Sequence, residues 1–145
     1  NVEKYFWKMP DKYFNRYMKF GHPRKNGKLV IDLKYVNEGI VNKDYALAIY
    51  YNPLMLACMS GLDIVVQFLL SHPDILVNEE TIFQEFPLLL AARYGHDKVI
   101  EILLKRPELD INQRNQVSLR VARLEGHNKV VKLLEDYIAK QSVQQ

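Results

Sequence analysis

The sequence has little of what marks disulfide-bonded or membrane-spanning proteins. Its single cysteine, Cys58, cannot form an internal disulfide, and reducing surroundings fit such cysteine usage best. The chain shows no apolar run long enough to cross a membrane and no signal-peptide pattern. Because its first residue is Asn1 rather than methionine, we expect it to be a fragment or a processed form.

Arrangements of residues that carry catalysis or bind metals are also missing. The four histidines lack a second histidine, cysteine or acid at metal-ligand spacing, and no glycine-rich phosphate loop occurs. Three acids, Glu79, Glu80 and Glu85, fall on one predicted loop, which we interpret as solvated rather than as a paired-carboxylate site. We therefore expect no catalytic residues, no cofactor and no metal in this segment.

One short phrase is present three times. The copies are Asn52-Pro53-Leu54-Met55-Leu56-Ala57-Cys58, Phe86-Pro87-Leu88-Leu89-Leu90-Ala91-Ala92 and Val117-Ser118-Leu119-Arg120-Val121-Ala122-Arg123. Each copy is followed by a glycine at the same offset (Gly61, Gly95 and Gly126) and then by a second apolar run. The glycines are 95 − 61 = 34 and 126 − 95 = 31 residues apart. A period in the low thirties predicts a stacked repeat array.

Each copy predicts two helices. A proline suits the first turn of the first helix, and the glycine permits a left-handed turn after it. Asp63, Asp97 and Asn128 follow the glycines at a position where a side-chain oxygen can cap the second helix. That helix has apolar residues at i, i+3, i+4 spacing and ends before Pro73 or Pro107. An extended piece then leads into a hairpin-like connection, which we call a finger.

The phrase resembles the ankyrin repeat, whose signature is Thr-Pro-Leu-His-x-Ala-Ala followed by Gly-His and a Val-x-x-Leu-Leu helix. Gly95-His96 and Gly126-His127 match the Gly-His pair, and the resemblance covers roughly residues 41 to 140. It implies an all-α ankyrin-repeat solenoid of helix-turn-helix units joined by fingers. The threonine and histidine of the signature are replaced in every copy, which argues against the usual Thr–His ladder between repeats. Ser118 stands at the proline position of the third copy.

The repeats predict the domain organisation. Residues 52–85 and 86–116 form two repeats, and 117–145 form a C-terminal capping repeat with a polar tail. Residues 29–51 are interpreted as a partial or degenerate repeat, because Gly27 precedes Gly61 by 34 residues and Leu29 to Val36 has the character of a helix. Residues 1–28 are an aromatic and basic lead segment, in which Tyr13, Tyr17 and Phe20 would share a helical face. We interpret it as a cover for the first repeat; a docking surface or the tail of a preceding domain is the alternative.

The resemblance also implies a binding surface, made of the finger tips and the exposed side of the first helices. The residues at these positions are Met55, Met59, Leu89, Arg93, Tyr94, Arg120 and Leu124 on the helices, with Tyr45, Phe83 and Arg114 on the fingers. The alternative for Leu89 and the two methionines is that they pack between helices, where the histidine ladder of the family normally lies. The finger between the first two copies is three residues longer than the next and contains Ile82, Phe83 and Phe86 among acids. Long apolar fingers are either functional or packed back on the array.

We expect a non-enzymatic protein-interaction module, acting as a scaffold, adaptor or inhibitor. We expect a monomer without a membrane span, in the cytoplasm or nucleus. One alternative is binding of nucleic acid or an anionic surface through residues 1–28, which hold eight Lys or Arg against two acids. Another is a targeting module of a larger effector whose enzymatic domain lies outside this chain, which would place it in a host cytosol.

Overall fold

The computed structural model describes residues 4–7, 24–25, 28–32 and 51–143 of the chain. Residues 51–143 fold into three pairs of helices joined by irregular connections, and no strand occurs within this range. The helices are α1 (Pro53–Ser60), α2 (Asp63–Leu70), α3 (Pro87–Arg93), α4 (Asp97–Leu104), α5 (Gln113–Leu124) and α6 (Asn128–Val143). The prediction of an all-α repeat solenoid is confirmed for this range.

The helices stack in two layers. The first helices of the copies, α1, α3 and α5, pack side by side, and the second helices, α2, α4 and α6, form the other layer. The core lies between these layers, and the leucines of the repeated phrase are buried in it. Ala57, Ala91 and Ala122 are fully buried, and their small side chains let neighbouring helices approach closely.

The predicted helix boundaries are confirmed at most ends. Pro53 and Pro87 are the first residues of α1 and α3. The Asn52 side chain accepts a hydrogen bond of 2.9 Å from the Met55 N–H, so Asn52 caps α1. Gly61, Gly95 and Gly126 all have a left-handed backbone, with φ of 71°, 74° and 74°. This conformation explains why the copies share a glycine there.

The prediction that Asp63 and Asp97 cap the second helices is wrong. Leu62 and His96 are the N-cap residues of α2 and α4, and neither makes a side-chain capping bond. The two acids are instead the first residues of their helices, where a carboxylate interacts favourably with the positive end of the helix dipole. Asp97 also pairs with Lys129 of the next repeat at 2.9 Å, and that hydrogen bond lowers its pKa.

Three strands near the N-terminus form an antiparallel sheet in the order β1-β3-β2. They are β1 (Lys4–Trp7), β2 (Arg24–Lys25) and β3 (Lys28–Asp32). In the β1–β3 pair, Lys4 lies opposite Asp32 and Trp7 opposite Leu29. The helix predicted from Leu29 is therefore wrong at residues 29–32, because a short apolar run fits a strand as well as a helix.

The remaining predictions for the N-terminal part lie outside the described residues. They include the helical face of Tyr13, Tyr17 and Phe20, and Tyr45 on the first finger. The proposed division into residues 1–28 and 29–51 stays a prediction. In the part of the chain that the structure describes, every helix is too short or too polar to cross a bilayer.

Candidate functional site

The structure divides the residues predicted for partner binding by their exposure. Met55 and Leu89 are buried in the core, and Met59 and Arg93 are half-buried. Exposed positions are Phe83, Tyr94, Arg114, Arg120 and Leu124. The prediction is corrected for Met55 and Leu89, because side chains packed between helices present nothing to a partner.

Exposure along the first helices rises from the first copy to the third. Met55, Leu89 and Arg120 are equivalent positions, and only Arg120 is exposed. Ser60 and Tyr94 are a second equivalent pair, of which Tyr94 is 49% exposed. The aliphatic side chains of the first two copies lie where the next first helix stacks, since α1 packs on α3 and α3 on α5. The surface available to a partner therefore concentrates on the second and third copies.

Histidine rings lock consecutive repeats together. His96 of the second copy places Nε2 2.9 Å from the Met59 carbonyl oxygen, and His127 of the third places Nε2 2.9 Å from the Arg93 carbonyl oxygen. Since a carbonyl only accepts, each ring donates through Nε2–H. These bonds connect each repeat to the one before it. The sequence signal for them was the Gly-His pair.

Each histidine also packs on the glycine of the preceding repeat. A Cβ added at Gly61 would lie 2.4 Å from His96 Nδ1, and one at Gly95 would lie 2.5 Å from His127 Nδ1. A Cβ at Gly126 would meet nothing within 4 Å. Glycine is therefore needed at positions 61 and 95 for two reasons, the left-handed backbone and the lack of space for a Cβ. At position 126 it is needed only for the left-handed backbone.

The first of the two described fingers is a closed turn. Thr81 N donates to Glu85 O at 2.8 Å, and Gln84 N donates to Thr81 O at 2.9 Å. The Thr81 hydroxyl accepts from the Phe83 and Glu85 amides, both at 3.2 Å. Ile82 and Phe83 are at the apex of this turn, 72% and 61% exposed.

A buried carboxylate anchors the base of this finger. Glu85 accepts a 2.7 Å hydrogen bond from the Tyr51 hydroxyl on Oε1, and it accepts a second from Arg93 Nη1 on Oε2. The interpretation of Glu85 as a solvated loop acid is therefore wrong. Burial, followed by the bond to Glu85, raises the pKa of Tyr51, so its hydroxyl stays protonated and donates. Arg93 acts through this internal ion pair and does not offer a free cation to a partner.

The second finger is polar and has an unusual backbone. Arg114, Asn115 and Gln116 have φ of 54°, 55° and 58°, a left-handed run inside the range of α5. Arg114 reaches back to the first finger, where its Nη2 pairs with Glu80 Oε1 at 2.6 Å. The bond from Arg114 lowers the pKa of Glu80. Arg114 is thus exposed but already paired with Glu80, so a partner that binds Arg114 would have to compete with this ion pair.

Two further residues join the fingers. Gln113 Nε2 donates to Asn78 O at 2.8 Å and to Glu80 Oε2 at 2.9 Å. The Asn78 side chain bonds the backbone of the next repeat twice, through Glu108 O at 2.8 Å and Asp110 N at 3.0 Å. Sequence reasoning missed the contacts of Asn78 and Tyr51, although an asparagine at the same offset in both copies, Asn78 and Asn112, was a usable signal.

The exposed side of the third copy has fewer internal partners. Arg120 donates to the Arg114 carbonyl oxygen at 3.2 Å, and Leu124 is 83% exposed at the end of α5. The Ser118 hydroxyl is buried and has no hydrogen-bond partner within the described residues. Residues 51–143 contain no cluster of three side chains that could hold a metal ion.

The family model described as ankyrin repeats, in three copies, matches residues 25–115 and 54–144. No curated protein matches the chain.

Proposed function

Because the chain belongs to the ankyrin repeat family, whose arrays generally bind other proteins, we propose that it holds a protein partner on its second and third copies. The proposed surface is the exposed end of α3 and α5, formed by Tyr94, Arg120 and Leu124. We call it the helix-end surface. No catalytic step is part of the proposal.

The observation that carries the proposal is the exposure of these three side chains on neighbouring helices. Tyr94 caps α3 and Leu124 ends α5, and these helices pack side by side. Arg120 lies one turn before Leu124, so both side chains share a face of α5. Tyrosine and arginine are among the residue types that most often dominate binding energy at interfaces.

Scaffold, adaptor and inhibitor are three uses of such a surface. A scaffold or adaptor would hold two partners at once, and an inhibitor would cover a functional surface of one. We include all three in the proposal, together with an intracellular setting, which the use of a single buried cysteine supports. A ternary-complex assay and an activity assay of the bound partner separate these roles.

The test compares a double variant on the helix-end surface with a matched variant on the outer helix α4. Tyr94→Ala with Arg120→Ala removes two exposed side chains, as does Lys98→Ala with Glu101→Ala in the control. A photo-crosslinking residue at position 94 or 101 first captures the partner from lysate of the source cells, and the affinity of that partner is then measured. Arg93 is left unchanged because it holds Glu85.

We expect the helix-end variant to bind about thirtyfold or more weakly, since hot-spot truncations cost about 2 kcal/mol or more and every 1.4 kcal/mol is tenfold in affinity. Both variants should keep the unfolding midpoint of the parent chain. Equal affinities of the two variants for the captured protein would remove the helix-end surface from the proposal.

A further inference from the structure

Arg120 is an arginine without a carboxylate partner within residues 51–143. The other arginines of this range, Arg93, Arg106, Arg114 and Arg123, each form an ion pair with a glutamate. Arg120 donates from Nη2 to the Arg114 carbonyl oxygen at 3.2 Å, and its remaining N–H groups have no partner in the same range. Its guanidinium is therefore held at one point and open to a ligand at the others.

The backbone that supplies this carbonyl oxygen has an uncommon conformation. Arg114, Asn115 and Gln116 have φ of 54°, 55° and 58°, and none of them is a glycine. Residues other than glycine rarely form such a left-handed run, so contacts from outside the run have to hold it in place. If these contacts were lost, the Arg114 carbonyl would turn away and Arg120 would lose its acceptor.

The contacts that hold the run come from the first finger. Glu80 accepts two bonds from the Arg114 guanidinium, from Nη2 on Oε1 at 2.6 Å and from Nε on Oε2 at 3.1 Å. Gln113 Nε2 donates to the same carboxylate at 2.9 Å. A two-point pair of this kind fixes orientation as well as distance, which a single exposed ion pair does not. A chain of contacts therefore leads from Glu80 through Arg114 to Arg120.

We propose that the Glu80–Arg114 ion pair positions Arg120 to receive a carboxylate of the protein that binds the helix-end surface. This role rests on the proposed function, and it adds the chemistry of the partner and a positioning residue, Glu80, that lies outside that surface. The physical reason is preorganisation, because a long side chain that is already ordered loses less entropy when it binds.

The charges near Arg120 favour a carboxylate over a phosphate. Helices α3 and α5 contain no lysine, and their other arginines are all in ion pairs. The exposed acid Glu125 follows directly after Leu124. One unpaired cation near an acid balances the single charge of a carboxylate, but not the nearly two charges of a phosphate. Because Leu124 is exposed one turn after Arg120, we expect an Asp or Glu beside an apolar residue in the partner.

The experiment selects random twelve-residue peptides, displayed on phage, against the whole chain. Each selected peptide is synthesised, together with versions in which its acid is replaced by the amide or by phosphoserine. Affinities are measured for the parent, Glu80→Gln, Arg120→Ala, the combination of both, and Tyr94→Ala. The matched control is Glu108→Gln, which breaks the exposed pair with Arg106 and leaves α5 unchanged. NMR relaxation of the Arg120 Nε–H group reports the order of that side chain in the proteins without peptide.

We expect the selected peptides to contain Asp or Glu beside an apolar residue. The amide replacement and Arg120→Ala should each weaken binding about tenfold, because a charge-assisted bond is lost. Glu80→Gln should make the Arg120 Nε–H group more mobile and weaken binding about fivefold, and it should have no further effect once Arg120 is alanine. Glu108→Gln should change neither quantity.

The positioning role is wrong if Arg120 is equally ordered in the parent and in Glu80→Gln. An equal loss of affinity from Glu80→Gln with and without Arg120 would make Glu80 a general structural residue instead. Tighter binding of the phosphoserine peptides would replace the carboxylate with a phosphate. Peptides that depend on Tyr94 but not on Arg120 would overturn this inference and leave the proposed function standing, whereas independence from both residues would overturn the proposed function as well.

Discussion

The second and third copies of the repeated phrase differ in how firmly their neighbours hold them. The second copy has a repeat on either side, His127 packs on its Gly95, and Glu85 anchors the finger that leads into it. In the third copy, Gly126 faces open space and the Ser118 hydroxyl lacks a partner within the described residues. The left-handed finger before it is bound mainly through exposed side chains.

This difference indicates that equivalent residues of the repeated phrase contribute different amounts to the free energy of unfolding in different copies. A residue between two repeats has to fit its own backbone and the side chains of its neighbour. A residue of the third copy has to fit its own backbone alone, wherever no repeat stacks on it. Equivalent substitutions should therefore cost unequal amounts in the two copies, and the size of the difference measures the neighbour's contribution.

The largest difference is expected at the two equivalent glycines. Gly95→Ala adds a Cβ 2.5 Å from the His127 ring in a left-handed backbone. It should destabilise by about 3 kcal/mol, through backbone strain and the loss of the His127 hydrogen bond and packing. Gly126→Ala meets only the strain and should cost about 1 kcal/mol. Urea unfolding of the two variants gives both values.

A double variant isolates the ring. With His127→Ala in place, Gly95→Ala should cost no more than Gly126→Ala does, because nothing then occupies the space beside residue 95. If the glycine variants of the parent chain lose equal stability, the contrast between the copies is wrong at this position.

The next difference concerns the acids at the bases of the fingers. Glu85→Ala leaves the buried Tyr51 hydroxyl and the half-buried Arg93 guanidinium without their acceptor, and should destabilise by about 2 kcal/mol. Glu80→Ala breaks a more exposed pair with Arg114 and should cost less than about 1 kcal/mol. Thermal unfolding of both variants checks the order, and Glu85→Gln, which keeps an amide oxygen as acceptor, should fall between them. A larger loss at Glu80 would reverse the interpretation of the two fingers.

The sequence predicted the parts of this picture that depend on local pattern. Helix starts at Pro53 and Pro87, left-handed glycines and the two-layer stacking follow from spacing and backbone preference. For Met55 and Leu89 the alternative of packing between helices is confirmed, and its basis was that two copies place an apolar side chain where the signature has a histidine. Arg120 at the same position then marks the copy whose surface is open.

The Tyr51–Glu85–Arg93 anchor could not be predicted in this way. Tyr51 and Glu85 are 34 residues apart, and their contact depends on how the finger folds back across the first junction. An acid in a loop between other acids has the composition of a solvated segment, and composition does not show which carboxylate turns inward. Strand β3 was not predicted for a different reason. The run from Leu29 to Asp32 is too short for its periodicity to distinguish a strand from a helix.

A smaller effect of opposite sign is expected at Ser118. Its hydroxyl is buried without a partner in the described structure, where the other copies have proline. Ser118→Ala removes the unsatisfied group and should stabilise the chain by about 1 kcal/mol in urea unfolding. Ser60→Ala, at another buried serine of the array, is the comparison, and only the Ser118 change should be stabilising. A loss of stability at Ser118 would mean that its hydroxyl has an acceptor.

The smallest effects are expected at the left-handed residues of the fingers. Gln84 has φ of 65° in the first finger, and Asn115 has φ of 55° in the second. Glycine relieves about 1 kcal/mol of strain there, but its greater freedom in the unfolded chain offsets most of this gain. Gln84→Gly should therefore stabilise by about 0.5 kcal/mol, and Asn115→Gly by less, because asparagine tolerates this conformation better than glutamine. Alanine at either position relieves no strain and serves as the control in paired denaturant titrations. If glycine destabilises both fingers while alanine does not, the fingers lack the left-handed turns, and the contrast between the copies reduces to their glycines and acids.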